Sequence, residues 1–355
     1  MKVLLVGATF NSNFGDLLFS HLFYDKCKEV GFERVSFWQW PKHVLCDFCR
    51  NELDYHEHIS FWKAIKYDVM IMQSGGMFAD AVGSFKGTYK RLLRYFLPAL
   101  IFTLLHKPVY IIGVGGGRPL YTRLMRWIVR YVLNRAKRIT VRDAETCQYF
   151  RSIGVTRSIE ITSDTAQVIT NENLPPFEDF SQLDKYLSDR KALLFHLHFP
   201  KKGDRQMTII LPAIREFIKK HPEYALMVAT DKEEWVHKTY EYIKGEKDCY
   251  VYNYNNSWQL AAFINKASVV ITLGLHVGIV ASSLGKSVLS FPHHYEKTHR
   301  YYNQIGESGR CIELGKITHS IVVEQLEKYY ARPIVISPKI RALAKANLDI
   351  IGEIR

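Results

Sequence analysis

The chain has 355 residues with 48 Lys+Arg against 35 Asp+Glu, a formal net charge of +13. Its 47% hydrophobic and 13% aromatic content excludes a largely disordered polypeptide, and the length leads us to expect two domains. The positive balance favours an anionic partner, either a phosphorylated small molecule, an anionic membrane face or nucleic acid.

The first predicted strand, "KVLLVG" (residues 2–7), is too short and too early broken by Gly7 to read as a signal peptide. A polar loop, "NSNFGD", leads into a helix expected over residues 17–30. Strands are then expected at "RVSFWQW" and "DVMIMQSGG". Between the latter and "PVYIIGVGGG" lies a helical stretch, "LLRYFLPALIFTLL", interrupted by Arg94 and Pro98. It falls short of the roughly 20 apolar residues a spanning helix needs and is read as a buried or membrane-facing amphipathic helix. "RITVRD" and "IEITSD" continue the series. Apolar strands bounded by Gly and Asp and separated by helices imply βαβ crossovers and a mainly parallel sheet.

The alternation pauses at "TNENLPPFEDFSQLDKYLSDRK", the expected linker, and resumes with "ALLFHLHF", "YALMVAT", "CYVYNY", "SVVITLGLH" and "KSVLSF". The expected architecture is α/β with two doubly wound, Rossmann-like domains and an interdomain cleft. Its expected boundaries are residues 1–170, a linker at 171–190, 191–335, and a helix at 336–355 packing back on the first domain.

In open α/β sheets ligands bind at the carboxyl ends of strands, so the residues there form the search set. The glycine-rich turns "SGGMF" (Gly75, Gly76) and "GVGGGR" (Gly115, Gly116, Arg118) either admit an anion to backbone amides or only permit tight turns. Neither has the spacing of a dinucleotide fingerprint. Arg142 and Asp143 end one strand, with Asp143 expected to cap the next helix. His293, His294, Lys297, His299 and Arg300 crowd another strand end, where donors suit phosphate or carboxylate. A metal site or a solvated surface are the alternatives. Cys46 and Cys49 form a lone CxxC with His56 and His58 downstream; no metal is assigned to it. The six cysteines are expected to be reduced, in a cytoplasmic protein.

The order of "NFGD", "SGGMF", "GVGGG", "VRDAETCQYFRSIG", "TSDTA" and "LHVGIVASSLGKSVLSFPHHYEK" resembles the polysaccharide pyruvyl transferase family. The resemblance implies a GT-B-like fold. It also implies transfer of the enolpyruvyl unit of phosphoenolpyruvate onto two sugar hydroxyls, forming a ketal on a cell-surface polysaccharide or exopolysaccharide, or on its lipid-linked precursor. The donor's methylene carbon must be protonated and a hydroxyl must lose a proton, so an acid and a base are needed. By resemblance His276 is the acid or a phosphate contact. The family carries arginine two residues before this histidine, where this chain has Gly274, and a second arginine where His198 stands.

The candidate set is therefore His276 and Asp16 for catalysis, and His198, Gly274, Leu275, Lys297, Arg300 and Arg142 for the donor. Asn13, Gly15, Gly75, Gly76, Gly115, Gly116 and Arg118 are candidates for acceptor or anion-binding loops. No cofactor is expected. Expected partners are phosphoenolpyruvate and a sugar or lipid-linked oligosaccharide, with no nucleic acid, because the positive charge is dispersed and no recognition motif accompanies it. The Arg-rich "RLMRWIVRYVLNRAKR" is either a peripheral contact to an anionic inner membrane face or an ordinary solvated helix face. A nucleotide-sugar glycosyltransferase and a non-catalytic glycan-binding relative are the alternative functions on the same scaffold.

Overall fold

The computed structural model describes residues 1–9, 13–38, 59, 61–78, 85–116, 122–175, 180–198, 203–230, 239, 243, 248–252, 254 and 256–354. The chain forms two compact units. One holds residues 1–11, 16–165 and 338–355, and the other holds 12–15 and 166–337.

Chain order in the first unit runs β1 (Lys2–Val6), α1 (Phe14–Glu29), β2 (Arg34–Phe37), α2 (Phe61–Ala64), β3 (Val69–Met72) and β4 (Gly75–Phe78). It continues with α3 (Phe85–Arg91), α4 (Leu97–Leu104), β5 (Val109–Gly116), α5 (Arg123–Arg135), β6 (Arg138–Val141), α6 (Ala144–Ser152) and β7 (Glu160–Ile161). The parallel sheet has strand order β2-β1-β3-β5-β6-β7, with β4 paired to β5. β1 and β3 are buried along almost their whole length, as expected where helices cover both faces of a parallel sheet.

Two segments read from sequence as glycine-rich turns at the ends of strands are themselves strand. "SGGMF" supplies β4, and the glycines of "GVGGG" up to Gly116 belong to β5. The irregularity is absorbed at Gly113, where φ is +63° and the β5–β6 register shifts between Ile111 and Val114.

The second unit comprises α7 (Ser181–Leu187), β8 (Lys191–Leu197), α8 (Leu211–Lys220), β9 (Tyr224–Thr230), β10 (Cys249–Val251) and α9 (Ser257–Lys266). There follow β11 (Ala267–Thr272), α10 (Leu275–Ser283), β12 (Ser287–Ser290), α11 (Tyr295–Gln304) and α12 (His319–Tyr329). Its parallel sheet runs β10-β9-β8-β11-β12. Helix α7 lies within the stretch expected as linker.

The last helix, α13 (Pro338–Gly352), returns to the first unit. Its buried residues are Ala344, Asn347, Ile350 and Ile351, a stripe at helical spacing.

Two π-helical turns, Leu92–Phe96 and Gln206–Ile210, each precede a helix with proline at its second position, Pro98 of α4 and Pro212 of α8. Proline has no N–H to give to the carbonyl four residues back, and its ring crowds that carbonyl. The ladder widens instead: Leu97 N–H bonds to Leu92 O and Leu211 N–H to Gln206 O. The apolar run 92–105 is thus one interrupted helical path, and no helix among the described residues is long and apolar enough to cross a membrane.

Each unit has its own core. In the first, Phe78 packs edge-on against Phe96 and Phe150 at centroid distances of 5.1 and 4.9 Å. In the second, Tyr252 stacks on Phe263 at 4.1 Å.

Candidate functional site

Each sheet has one point where the strand order reverses. In the second unit β8, β9 and β10 build outward one way, and β11 and β12 the other, so the reversal falls between β8 and β11. The crevice beyond the carboxyl ends of such a strand pair is where open α/β sheets bind ligands. Thr272 of β11 is paired in register with His196 of β8, and these are the residues at that point.

His196 is fully buried, with Nδ1 3.1 Å from Thr272 Oγ1. The same hydroxyl accepts from Gly274 N at 3.0 Å, which fixes the turn from β11 into α10. Gly274 is the N-cap of α10, so Leu275 and His276 are its first two residues. The amides of a first helical turn have no intrahelical acceptor and favour negative charge. At the end of β8, the buried Gln206 holds the backbone of His198 at both groups: His198 N donates to Oε1 at 2.8 Å and His198 O accepts from Nε2 at 2.7 Å. The His198 ring lies 5.7 Å from that of His293, which follows β12. Lys297 and Arg300, both half-buried, sit one turn apart on α11.

The chain segment 12–15 belongs to this second unit, although in sequence it follows the first strand. Ser257 Oγ donates to Phe14 O at 3.4 Å. A Cβ at Gly15 would overlap the imidazole of His276, with Nδ1 and Cγ the nearest atoms. The glycine of "NFGD" therefore exists to let the backbone lie flat against the His276 ring. The two strongest motifs of the sequence meet here; Asn13 is in the same segment.

Gly274 lies close against the His196 ring. A Cβ there would stand 3.2 Å from His196 Cε1 and 3.5 Å from its Nδ1. The position points at a buried ring, so an arginine placed at 274 must displace His196 and its Thr272 contact. Gly274→Arg is expected to lower stability by about 1–3 kcal/mol, the usual cost of overpacking, and Gly274→Ala by much less. Denaturant titration of the two variants checks this; equal midpoints would contradict it.

In the first unit the strand order reverses between β1 and β3. Asp16, the first residue of α1 in this unit, lies here: a Cβ at Gly75, which has φ +148°, would be 3.8 Å from its Oδ1. Burial, then the charge of Asp16, pushes the phenol of Tyr95 up, with Arg91 and Arg94 opposing, so Tyr95 remains a neutral donor. Ser20 Oγ donates to Asp16 O at 3.1 Å, and Gln73 Nε2 to Ser20 Oγ at 2.7 Å.

Arg142 is buried and committed internally. Its Nη1 donates to Asp164 Oδ2 at 2.8 Å, and its guanidinium lies over Gly115, where a Cβ would overlap Nε. Asp143 caps α6, accepting from Thr146 N at 2.7 Å and Thr146 Oγ1 at 2.6 Å. Thr146 Oγ1 in turn accepts from Gly116 N at 2.8 Å. Gly115 thus serves close packing of the strand against Arg142, while Gly116 takes part through its backbone N–H. Gly76 is in β4. Arg118, Cys46, Cys49, His56 and His58 lie outside the described residues. Among the described residues no group of three or more His, Cys, Asp or Glu could hold a metal ion.

Sequence reading missed one buried polar centre. Asn347 of α13, fully buried, accepts from Thr140 Oγ1 at 2.8 Å and Thr162 Oγ1 at 3.0 Å. Its Nδ2 donates to Ser163 O at 2.9 Å and Thr165 Oγ1 at 3.0 Å. Ser74 Oγ, 2.6 Å from Thr165 Oγ1, extends the network to the end of β3. An asparagine on the apolar stripe of a helix was the available signal.

A model of the family described as polysaccharide pyruvyl transferase matches residues 13–295. No curated protein matches in sequence. Among solved structures, MnaA of S. aureus with UDP is 15% identical, with a TM-score of 0.63 and coverage of 98% of this chain and 94% of that one. The UDP-GlcNAc 2-epimerase of Neisseria meningitidis bound to UDP-GlcNAc is 14% identical, with a TM-score of 0.60 and full coverage of both chains, 100% each. A further UDP-N-acetylglucosamine 2-epimerase is 13% identical, with a TM-score of 0.65 and coverage of 99% and 95%. At these identities the likeness is one of fold: two parallel-sheet α/β units of the GT-B-like class.

Proposed function

This chain belongs to the polysaccharide pyruvyl transferase family, a transferase family of polysaccharide biosynthesis, and from that premise we propose that it moves a pyruvyl group from phosphoenolpyruvate onto a sugar. The acceptor is a sugar of a cell-surface polysaccharide or of its lipid-linked precursor. The observation that carries this reading is the placing of His276 in the second unit. It sits at the N-terminus of α10, beside the strand-order reversal, with its ring held against Gly15.

The chemistry follows from the donor. His276 gives a proton to the methylene carbon, leaving a cationic carbon that a sugar hydroxyl attacks. The C–O bond to phosphate then breaks, inorganic phosphate leaves, and a second hydroxyl closes the ketal, returning its proton to His276. Asp16 is proposed to accept a hydroxyl proton. First-turn amides of α10, with Lys297 and Arg300, supply donors for the phosphate and carboxylate. Arg142 is proposed to act through its pair with Asp164, shaping the strand end rather than touching the donor.

Carbon-labelled phosphoenolpyruvate incubated with a lipid-linked oligosaccharide extract tests the reading. Label should pass to the lipid fraction with release of one phosphate per pyruvyl group. Phosphate release without labelled acceptor counts against it.

One observation favours a second reading, a nucleotide-sugar enzyme. The two positions at which the family pattern has arginine are Gly274 and His198, and a permanently charged, bidentate fork is not replaced by histidine. Label passing from a UDP-sugar, and not from phosphoenolpyruvate, is the outcome that selects it.

A further inference from the structure

Helix α5 presents an outward face that the transfer chemistry does not use. Its inward stripe, Met125, Ile128, Val129, Val132 and Leu133, is buried in the first unit. Its outward residues include Arg123, Leu124, Arg126, Trp127, Arg130 and Arg135, all exposed. No Asp or Glu occurs anywhere in the helix. Leu124 is 61% and Trp127 48% accessible, large values for apolar side chains on an otherwise polar surface.

Between α5 and α6 this face sinks into a depression of about 550 Å³, with Arg123, Arg126, Trp127, Arg130 and Tyr149 in its lining. Arg123, Arg126 and Arg130 fall on one helical stripe, where like charges repel. Among the described residues no carboxylate pairs with any of the three. Trp127 stacks on Tyr131 at 5.4 Å, and the Arg135 guanidinium lies 3.9 Å above the Tyr131 ring, so the stripe continues as an aromatic and cationic ladder. α4, which packs on α5, ends in two further exposed leucines, Leu104 and Leu105.

Three unneutralised guanidinium groups ask for phosphate. A free phosphate would satisfy them but gives no reason for Leu124 and Trp127 to stand in water beside them. A bilayer surface accounts for both. Guanidinium groups meet lipid phosphates, tryptophan takes its usual level at the membrane–water boundary, and leucine enters the acyl edge. We propose that the outward face of α5 docks on an anionic lipid surface, with Arg123, Arg126 and Arg130 on the headgroup phosphates and Leu124 and Trp127 in the interface. The inference does not depend on the identity of the donor.

Co-sedimentation with vesicles tests it. The chain should bind phosphatidylcholine vesicles containing phosphatidylglycerol, ignore vesicles of phosphatidylcholine alone, and be released as added salt shortens the screening length. Arg126→Ala/Arg130→Ala should weaken partitioning roughly twenty-five-fold, at about fivefold per arginine. Trp127→Ala, which leaves the charge unchanged, should weaken it too. Lys219→Ala/Lys339→Ala, removing two exposed charges elsewhere, should bind as the parent does.

Equal loss in the lysine variant would reduce the effect to net charge and overturn the proposal. So would equal binding to uncharged vesicles, or a Trp127→Ala variant that partitions normally. Stabilisation by inorganic pyrophosphate that needs Arg126 and Arg130, without vesicle binding, would assign the face to a soluble anion instead. If the alanine pair loses its melting transition, Arg126→Gln/Arg130→Gln carries the same comparison.

Discussion

Replacing Asn347 by leucine is expected to lower the stability of the first unit by roughly 2–4 kcal/mol, seen as a fall of several degrees in melting temperature. Leucine keeps the branched shape but is bulkier, so overpacking of this fully buried site adds to the loss of polar partners. The substitution removes four hydrogen bonds, two accepted from Thr140 and Thr162 and two donated to Ser163 O and Thr165. Each partner left buried without a replacement keeps its desolvation cost, and in a low-dielectric network these costs reinforce one another. Gly113 cannot yield to relieve the site. It donates to Thr140 Oγ1 at 2.7 Å, has φ +63°, and has Ser74, Thr165 and Asn347 around its Cα. The control on the same helix is Asp349→Ala, which breaks only an exposed pair with Lys345 at 3.2 Å and should cost at most about 1 kcal/mol. Equal melting temperatures for Asn347→Leu and the parent would show that the network contributes nothing.

His276→Gln is expected to keep the fold and the binding of phosphoenolpyruvate and to lower turnover by roughly 10²–10⁴, the usual contribution of a proton-transfer group. Gly15→Ala changes no titratable group, yet should produce a loss of the same kind, because its methyl must push the His276 ring aside. The double variant separates a shared mechanism from two independent ones. If Gly15 acts only by seating His276, Gly15→Ala/His276→Gln should be no slower than the worse single variant. Multiplying losses would mean that Gly15 has a separate function. A Gly15→Ala variant as active as the parent would remove His276 from the chemistry, or show that its ring moves without consequence.

Much of the fold was legible in the sequence because both sheets are parallel and covered on both faces, so strands such as "KVLLV" and "YALMVAT" read as unbroken apolar runs. Glycine-rich segments were harder. "SGGMF" and "GVGGG" carry turn composition, but β5 uses Gly113 and Gly115 because neighbouring side chains, Arg142 over Gly115 above all, leave no room for a Cβ, and Gly75 of β4 has φ +148°. Of the candidate site, the strand ends could be found from sequence, and their mutual pairing could not. That His196 backs Gly274 depends on the register of β8 against β11, which are 76 residues apart at the Thr272–His196 contact. That Gly15 belongs with His276, in the second unit, runs against its place in the chain. Arg142 read equally as a ligand or an internal pair, since only the neighbouring strand brings Asp164 to it.

The central claim, that phosphoenolpyruvate is the donor, is tested most directly by thermal unfolding of the unmodified chain with phosphoenolpyruvate, UDP, or UDP-N-acetylglucosamine. A ligand at 100 times its dissociation constant adds about 2.7 kcal/mol to stability, enough to raise the transition clearly. The account predicts that phosphoenolpyruvate raises it, that His276→Gln retains this response, and that neither uridine compound does so at the same concentration. A transition raised by UDP or UDP-N-acetylglucosamine and left in place by phosphoenolpyruvate would contradict it.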